Sequence, residues 1–153
     1  MQRQKEHMTR HKLEDQALQE AIKISNIEIP QLAIKFEAEE RERAFSTDMQ
    51  QKGINIDDFL KANNITLQKM RELWLKDAQQ ALETDAFLRT YIKGRDIKVT
   101  DQDLKTKIED IKKGAPKETD QTVFDNEQWQ EYIRRIEEKE KAFQSFIKEV
   151  LGE

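Results

Sequence analysis

Four glycines and two prolines are spread over 153 residues, and this scarcity of chain-reversing residues constrains the fold more than any other feature. Glycine supplies the left-handed backbone of tight turns, and proline ends helices. A chain with so few of either can turn only rarely, so its elements must be long. Ala, Leu, Glu, Lys, Gln and Arg are plentiful, while valine occurs three times. Those six side chains lose little rotamer freedom in a helix, so the expectation is an all-α chain. Disorder is the competing reading, because charged residues make up 38% of the chain and the mean hydropathy is −0.95. Against it, Leu, Ile, Val and Phe total 36 of the 153 residues, above the roughly one-fifth level where disorder becomes the better reading. The 27 basic and 31 acidic side chains also nearly cancel, which keeps self-repulsion small. Long helices, each with one apolar face, satisfy both facts.

Along the chain, the first helix is expected from about Gln4 to Ile24, with Leu13, Ala17, Leu18, Ala21, Ile22 and Ile24 forming an apolar stripe in its second half. Its first dozen residues are polar all round, so that end either frays or packs on something outside this chain. Ile27-Glu28-Ile29 reads as a short extended link into Pro30, placed at the first helical position. A second helix follows to about Lys52, charged on every face from Glu39 to Arg43 and stopped by Gly53. A short helix opens at Asn55 or Ile56 and breaks at Asn63-Asn64. Thr66 caps the longest helix, Leu67 to Lys93, with Gly94 at its end. Ile97-Lys98-Val99 is a second extended link, and Thr100 caps a helix from Asp101 to Lys113 with Asp103 three residues on. Gly114 to Asp125 reads as the one real loop. The last helix, Asn126 to Leu151, places Trp129, Ile133, Ile136, Glu140, Phe143, Ile147 and Val150 at an alternating four-three spacing.

Several function classes have no support in these residues. With no cysteine there is neither a disulfide framework nor a thiolate site. No run of about 18 apolar residues is present, so no membrane span is expected, and Met1 leads into charged helix rather than an apolar signal core. The expected location is therefore the cytoplasm. A net charge of −4 with interleaved signs lacks the concentrated basic stripe of a nucleic-acid binder. No glycine-rich phosphate loop occurs, and the carboxylates sit on charge-balanced faces that give no reason for a shifted pKa. His7 and His11 lie four residues apart on one helical face, a spacing that can hold a transition metal. The intervening Met8-Thr9-Arg10 lacks the general-base Glu of the zinc protease motif, and only Glu14 offers a nearby third ligand. No metal, no cofactor and no catalytic residue is expected.

What remains is a set of large apolar side chains. Phe36, Phe45, Met49, Phe59, Met70, Trp74, Phe87, Phe143 and Phe146 are the candidates to line an open groove, and Tyr91, Trp129 and Tyr132 accompany them. Most large apolar side chains are core. Those that are not form contiguous exposed surface that marks a binding site, and methionine suits a surface that must accept varied shapes.

The order of these segments resembles a known family. Ile27-Glu28-Ile29-Pro30 leading into a charged helix is similar to the start of the C-terminal chaperone domain of trigger factor. So are Gly53-Ile54-Asn55-Ile56-Asp57-Asp58-Phe59-Leu60 and the Asn64-Ile65-Thr66 cap with its long helix. Ile97-Lys98-Val99-Thr100-Asp101-Gln102-Asp103-Leu104 resembles the family's opening of its second arm, with Asp103 in the acidic place. The terminal helix, Trp129 to Val150, resembles the one that closes that domain. The resemblance runs from about residue 10 onward. It implies an elongated helical body with two projecting arms, forming a cradle for unfolded or nascent polypeptides without ATP. Periplasmic chaperones of the SurA and PrsA type share that topology and a similar Val-Thr-Asp opening, but normally carry a signal sequence and parvulin domains.

The expected organisation is a single helical chaperone domain over 1–153. Its parts are a leading helix (1–26), a first arm region (27–64), a long body helix (65–95), a second helical segment with its loop (96–125) and a terminal helix (126–153). The family's ribosome-docking loop and inserted prolyl isomerase domain are not in this sequence, so neither ribosome docking nor isomerase activity is expected of it. The rival reading is a helical interaction module whose apolar stripes are committed to one partner or to a homodimer, suggested by the four-three seam of the last helix.

Overall fold

In the computed structural model, which describes the backbone of residues 2–152 and the side chains of residues 6–152, the described chain is helical and contains no strand. Met1 and Glu153, the ends of the expected domain, lie outside the described residues. The helices are α1 (Gln2–Ser25), α2 (Gln31–Gln51), α3 (Ile56–Ala62), α4 (Leu67–Arg95), α5 (Asp101–Gly114) and α6 (Glu127–Leu151), with a 3₁₀ turn at Gln121–Asp125.

One turn chemistry recurs where these helices stop. Gly53, Asn64 and Asp96 have φ of 65°, 51° and 50°, and each is followed by an isoleucine. In all three cases that isoleucine's N–H donates back five residues: Ile54 to Met49, Ile65 to Leu60 and Ile97 to Ile92, at 2.9, 3.1 and 3.1 Å. A left-handed residue followed by this long back-bond recovers carbonyls that the helix end would leave unpaired, and the apolar residue after it packs on the last turn. Asn26, with φ of 55°, ends α1 before Ile27 in the same backbone region. Gly94 is therefore not the stop that the sequence suggests. It lies inside α4, and Asp96 takes the left-handed position instead, a role Asn and Asp accept because their short side chains bond locally.

The helix starts follow the sequence. Asn55, Thr66, Thr100 and Asn126 each accept a backbone N–H three residues on. Thr100 and Asp103 complete a reciprocal capping box. Pro30 is displaced by one: it is the cap residue preceding α2, in extended conformation at ψ 132°, because the residue before the first helical turn has non-helical dihedrals.

The described chain divides into two compact units, Glu20–Phe87 and Met1–Gln19 with Leu88–Glu153, and the boundaries fall inside α1 and α4. In the Glu20–Phe87 unit, Ile34, Ala38 and Ala78 form a buried cluster with Ile29, Trp74 and Leu82 packed against it. Ala78 is wholly buried and Ala38 nearly so, so small side chains sit where α2 and α4 meet. Phe45 joins Phe59 and Trp74 at centroid distances of 5.4 and 5.5 Å, tying α3 to the helix pair.

In the other unit, Val99, Leu104, Ile108, Phe124 and Ile133 form the core, with Ile111, Ala115 and Trp129 packed on it. The segment read as a loop contributes its centre. Phe124, 3% exposed, projects from the 3₁₀ turn and meets Trp129 edge-on at 5.4 Å. The expected seam of α6 is only partly realised. Ile133 and Ile147 are buried, but Ile136 and Val150 are exposed, and Ala142 and Phe146 are buried instead. A strict seven-residue repeat drifts around a straight helix of this length, so the buried stripe passes onto neighbouring positions.

A polar row runs along the same helix. Arg134 donates to the Val99 carbonyl at 2.7 Å and to Asp101 at 2.8 Å. Glu137 pairs with Lys107 at 3.0 Å, and Lys141 reaches Asp103 at 2.6 Å. Beyond it, the Tyr91 hydroxyl donates to Glu149 at 2.8 Å, and Arg95 pairs with the same carboxylate.

Candidate functional site

The Glu20–Phe87 unit carries a groove between α2 and α4. Its apolar floor is Ala38, Trp74 and Leu75; Lys35, Glu39, Glu42 and Arg71 line its rim, and it is an open cleft of about 290 Å³. Two features of local sequence make it. The Ala38–Ala78 contact brings the helices together with small side chains, so the larger Trp74 and Leu75 stand beside the crossing rather than within it. The charged turn of α2, Glu39 to Arg43, then supplies the rim. That turn is indeed not buried, because it is charged all round its circumference.

One ion pair crosses from α4 to α2 at the rim. The Arg71 Nε donates to Glu42 Oε1 and Oε2 at 3.1 and 2.9 Å, and Nη2 donates to Oε1 at 2.6 Å. This forked geometry suits a guanidinium facing a carboxylate. The hydrogen bonds from Arg71 hold the Glu42 carboxyl below its ordinary pKa, and the same pairing raises that of Arg71. Both groups stay charged across the neutral range. Lys35 and Glu39 stand 4.0 Å apart, an exposed pair of little energetic weight.

The nine candidate side chains divide. Phe36 is 60% exposed, and Leu32, one turn before it, is 79% exposed; together they form an apolar strip on the outer side of α2. Phe45, Phe59, Met70, Trp74 and Phe87 are half-buried in the same unit. Met49 is buried at 6% and belongs to the packing of this unit. Phe143 and Phe146 lie in the other unit, Phe143 half-buried and Phe146 buried at 5%. The structure therefore brings Phe45, Phe59 and Trp74 into contact and leaves Phe36 open to solvent. Leu32, Leu75 and the Arg71–Glu42 pair were not among the candidate site residues. The signal for Leu32 was available: Leu32 and Phe36 are four residues apart, offset from Ile34 and Ala38, so α2 carries two apolar stripes and buries one. The ion pair joins residues 29 positions apart, and no local pattern announces it.

Near the middle of α1, His11 Nδ1 lies 3.3 Å from Glu14 and Arg10 bonds the same carboxylate at 2.9 Å. Among the described residues no group of three His, Asp or Glu side chains is placed to hold a metal ion. No described helix is long and apolar enough to cross a membrane.

Comparison with known proteins agrees with this architecture. A family model described as bacterial trigger factor protein (TF) C-terminus matches residues 1–148. The trigger factors of Bacillus cytotoxicus and Bacillus cereus (strain B4264) are each 27% identical over 105 residues, covering 69% of this chain and 25% of theirs. That of Bacillus thuringiensis (strain Al Hakam) is 26% identical over the same length and the same shares. The chain thus spans about a quarter of the length of the curated relatives it matches. No solved structure matches it. With the family model covering nearly every residue of the all-helical fold, the chain belongs to the family of bacterial trigger factor C-termini.

Proposed function

We propose that this chain is a chaperone domain that holds unfolded or nascent polypeptides, without ATP, on the apolar surface of α2 and α4. The observation that carries the reading is that α2 leaves Leu32 and Phe36 exposed and shares with α4 a groove floored by Ala38, Trp74 and Leu75, on a chain whose family is that of trigger factor C-termini. Apolar side chains left contiguous in a protein so heavily charged mark a contact surface. Charged outer faces keep the protein dispersed, while the apolar strip offers weak, replaceable contacts to a client that has not yet collapsed. No bond is made or broken in this mode of action. The test is aggregation of a chemically unfolded client diluted into buffer. Near-stoichiometric protein should suppress the light scattering, and no suppression at several-fold excess would refute the reading.

A dedicated interaction or self-association module is the second reading, favoured by one observation: α6 leaves Tyr132, Ile136 and Val150 exposed along its length. Sedimentation across a hundredfold concentration range separates the two. A homodimer that forms at micromolar concentration and is lost in Ile136→Ser would favour the module.

A further inference from the structure

The Arg71–Glu42 pair occupies only part of the guanidinium. Nε and Nη2 bond the carboxylate, and the Nη1 N–H groups meet no protein acceptor among the described residues. An arginine carries five donors, and this side chain is 55% exposed. Glu42 fixes the guanidinium at the edge of the groove, so its remaining donors are held in place beside Trp74 and Leu75.

We propose that Arg71 reads the main chain of a client: one large apolar side chain of an extended, unfolded segment enters the groove, and an adjoining backbone carbonyl accepts a hydrogen bond from the Arg71 Nη1. The proposal rests on the holding function above and names the chemistry of one of its contact points. Two observations and one general property of polypeptides select this occupant. The groove's 290 Å³ lies just below the range of small-molecule pockets, about 300–1,000 Å³, which suits one side chain and not a helix. The rim carries Lys35 and Arg71 against Glu39 and Glu42, so it balances in charge and does not select clients by side-chain sign. A folded helix bonds its carbonyls internally, whereas an unfolded segment presents one at every residue. A fixed donor beside an apolar slot therefore favours unfolded chain of almost any sequence over folded protein.

The test uses two dye-labelled peptides of about ten residues, Gly/Ser-rich with one central Phe. The second has (E)-alkene isosteres replacing the two amide bonds that flank that Phe, which removes their carbonyls together with their N–H groups; the comparison with Arg71→Met assigns any loss to the carbonyl acceptor. Binding is followed by fluorescence anisotropy, and occupancy of the groove by the Trp74 indole resonance. Wild type should bind the parent peptide about three- to tenfold more tightly than the isostere, the size of one hydrogen bond. Arg71→Met should bind both equally, at the weaker level. Glu42→Gln, which leaves Arg71 its donors, should bind the parent at least as well as wild type. Far-UV circular dichroism and melting of Glu42→Gln/Arg71→Met, which leaves no unpaired acid, control for loss of packing.

Equal binding of both peptides by wild type and Arg71→Met, with Trp74 still responding, would overturn the role of Arg71 and leave the holding function standing. A Trp74 resonance that responds to neither peptide would remove the groove as a contact point, and this proposal with it. A Trp74 response that instead depends on protein concentration alone would identify a second copy of the chain as the occupant, which also overturns it.

Discussion

Lys141 Nζ lies 2.6 Å from Asp103 Oδ2, joining α6 to the first turn of α5 at the residue that completes the α5 capping box. The same carboxylate accepts the Thr100 N–H at 3.0 Å, so one side chain both caps its own helix and fixes it to a neighbour. The Lys141 ammonium first, and the Thr100 bonds after it, lower the Asp103 pKa from 3.8 to about 2.

A pH dependence follows from that shift. A carboxyl whose folded pKa is depressed contributes stability that is fully present above its unfolded value and is lost as pH falls through the folded one. The Asp103 contribution should be intact at pH 5 and lost between about pH 4 and pH 2. Carboxyl-detected titration of Asp103 reads this directly. In Lys141→Met its midpoint should move up toward 3.8, stopping short because the Thr100 N–H remains. An unchanged midpoint would mean the pair does not form in solution.

The two central glycines should respond oppositely to alanine. Gly53 has φ of 65°, which an L side chain adopts at a cost of about 1–2 kcal/mol. Gly94 is helical, with nothing within 4 Å of where a Cβ would stand, so alanine there should stabilise by about 0.5–1 kcal/mol. Urea denaturation of Gly53→Ala and Gly94→Ala should show the first losing and the second gaining stability. If Gly94→Ala also lost stability, α4 would end where glycine alone suggests, before Asp96.

Phe124→Ala should cost about 3–5 kcal/mol, the range for deleting a buried aromatic side chain. Its partners Trp129, Leu104 and Ile108 would then lose their packing. Phe124→Leu should cost less than half as much because most of the volume is kept. Trp129 fluorescence during urea unfolding checks both. A neutral Phe124→Ala would show that the 3₁₀ turn is not part of the core.

Phe124 also marks where sequence reading stopped. Helix starts were legible because caps are local: Thr66, Thr100 and Asn126 sit within three residues of the N–H groups they accept. The all-α class was legible because propensity sums over long stretches. The 3₁₀ turn was not, since one phenylalanine among Gly, Pro, Thr and Asp has no periodicity to reveal a buried face. Nor could the nine candidate side chains be sorted. Met49 and Phe36 are similar in bulk and share a helix, yet one is buried and the other exposed. The difference lies in which face of α2 meets α4, which only tertiary contact decides. The family's motif order marked the starts of α2, α3, α4 and α5, while the groove between α2 and α4 and the Arg71–Glu42 pair needed the fold.

Core and surface should separate in mutants of α2. Met49→Ala should lower stability by about 2–5 kcal/mol. Leu32→Ser and Phe36→Ser should change it by no more than about 0.5 kcal/mol and still weaken suppression of client aggregation. Thermal melts and light scattering on the same samples give both numbers. Serine variants that hold clients as well as wild type would exclude the α2 strip from the contact surface.

The central claim is that α2 and α4 offer unfolded chain an apolar surface, and amide chemical-shift mapping with two unrelated unfolded clients tests it most directly. Both clients should perturb overlapping amides around Leu32, Phe36, Trp74 and Leu75 at micromolar affinity, while Ile133 and Ile147, buried in the other unit, stay still. Silence at those α2 and α4 positions with both clients would contradict the claim.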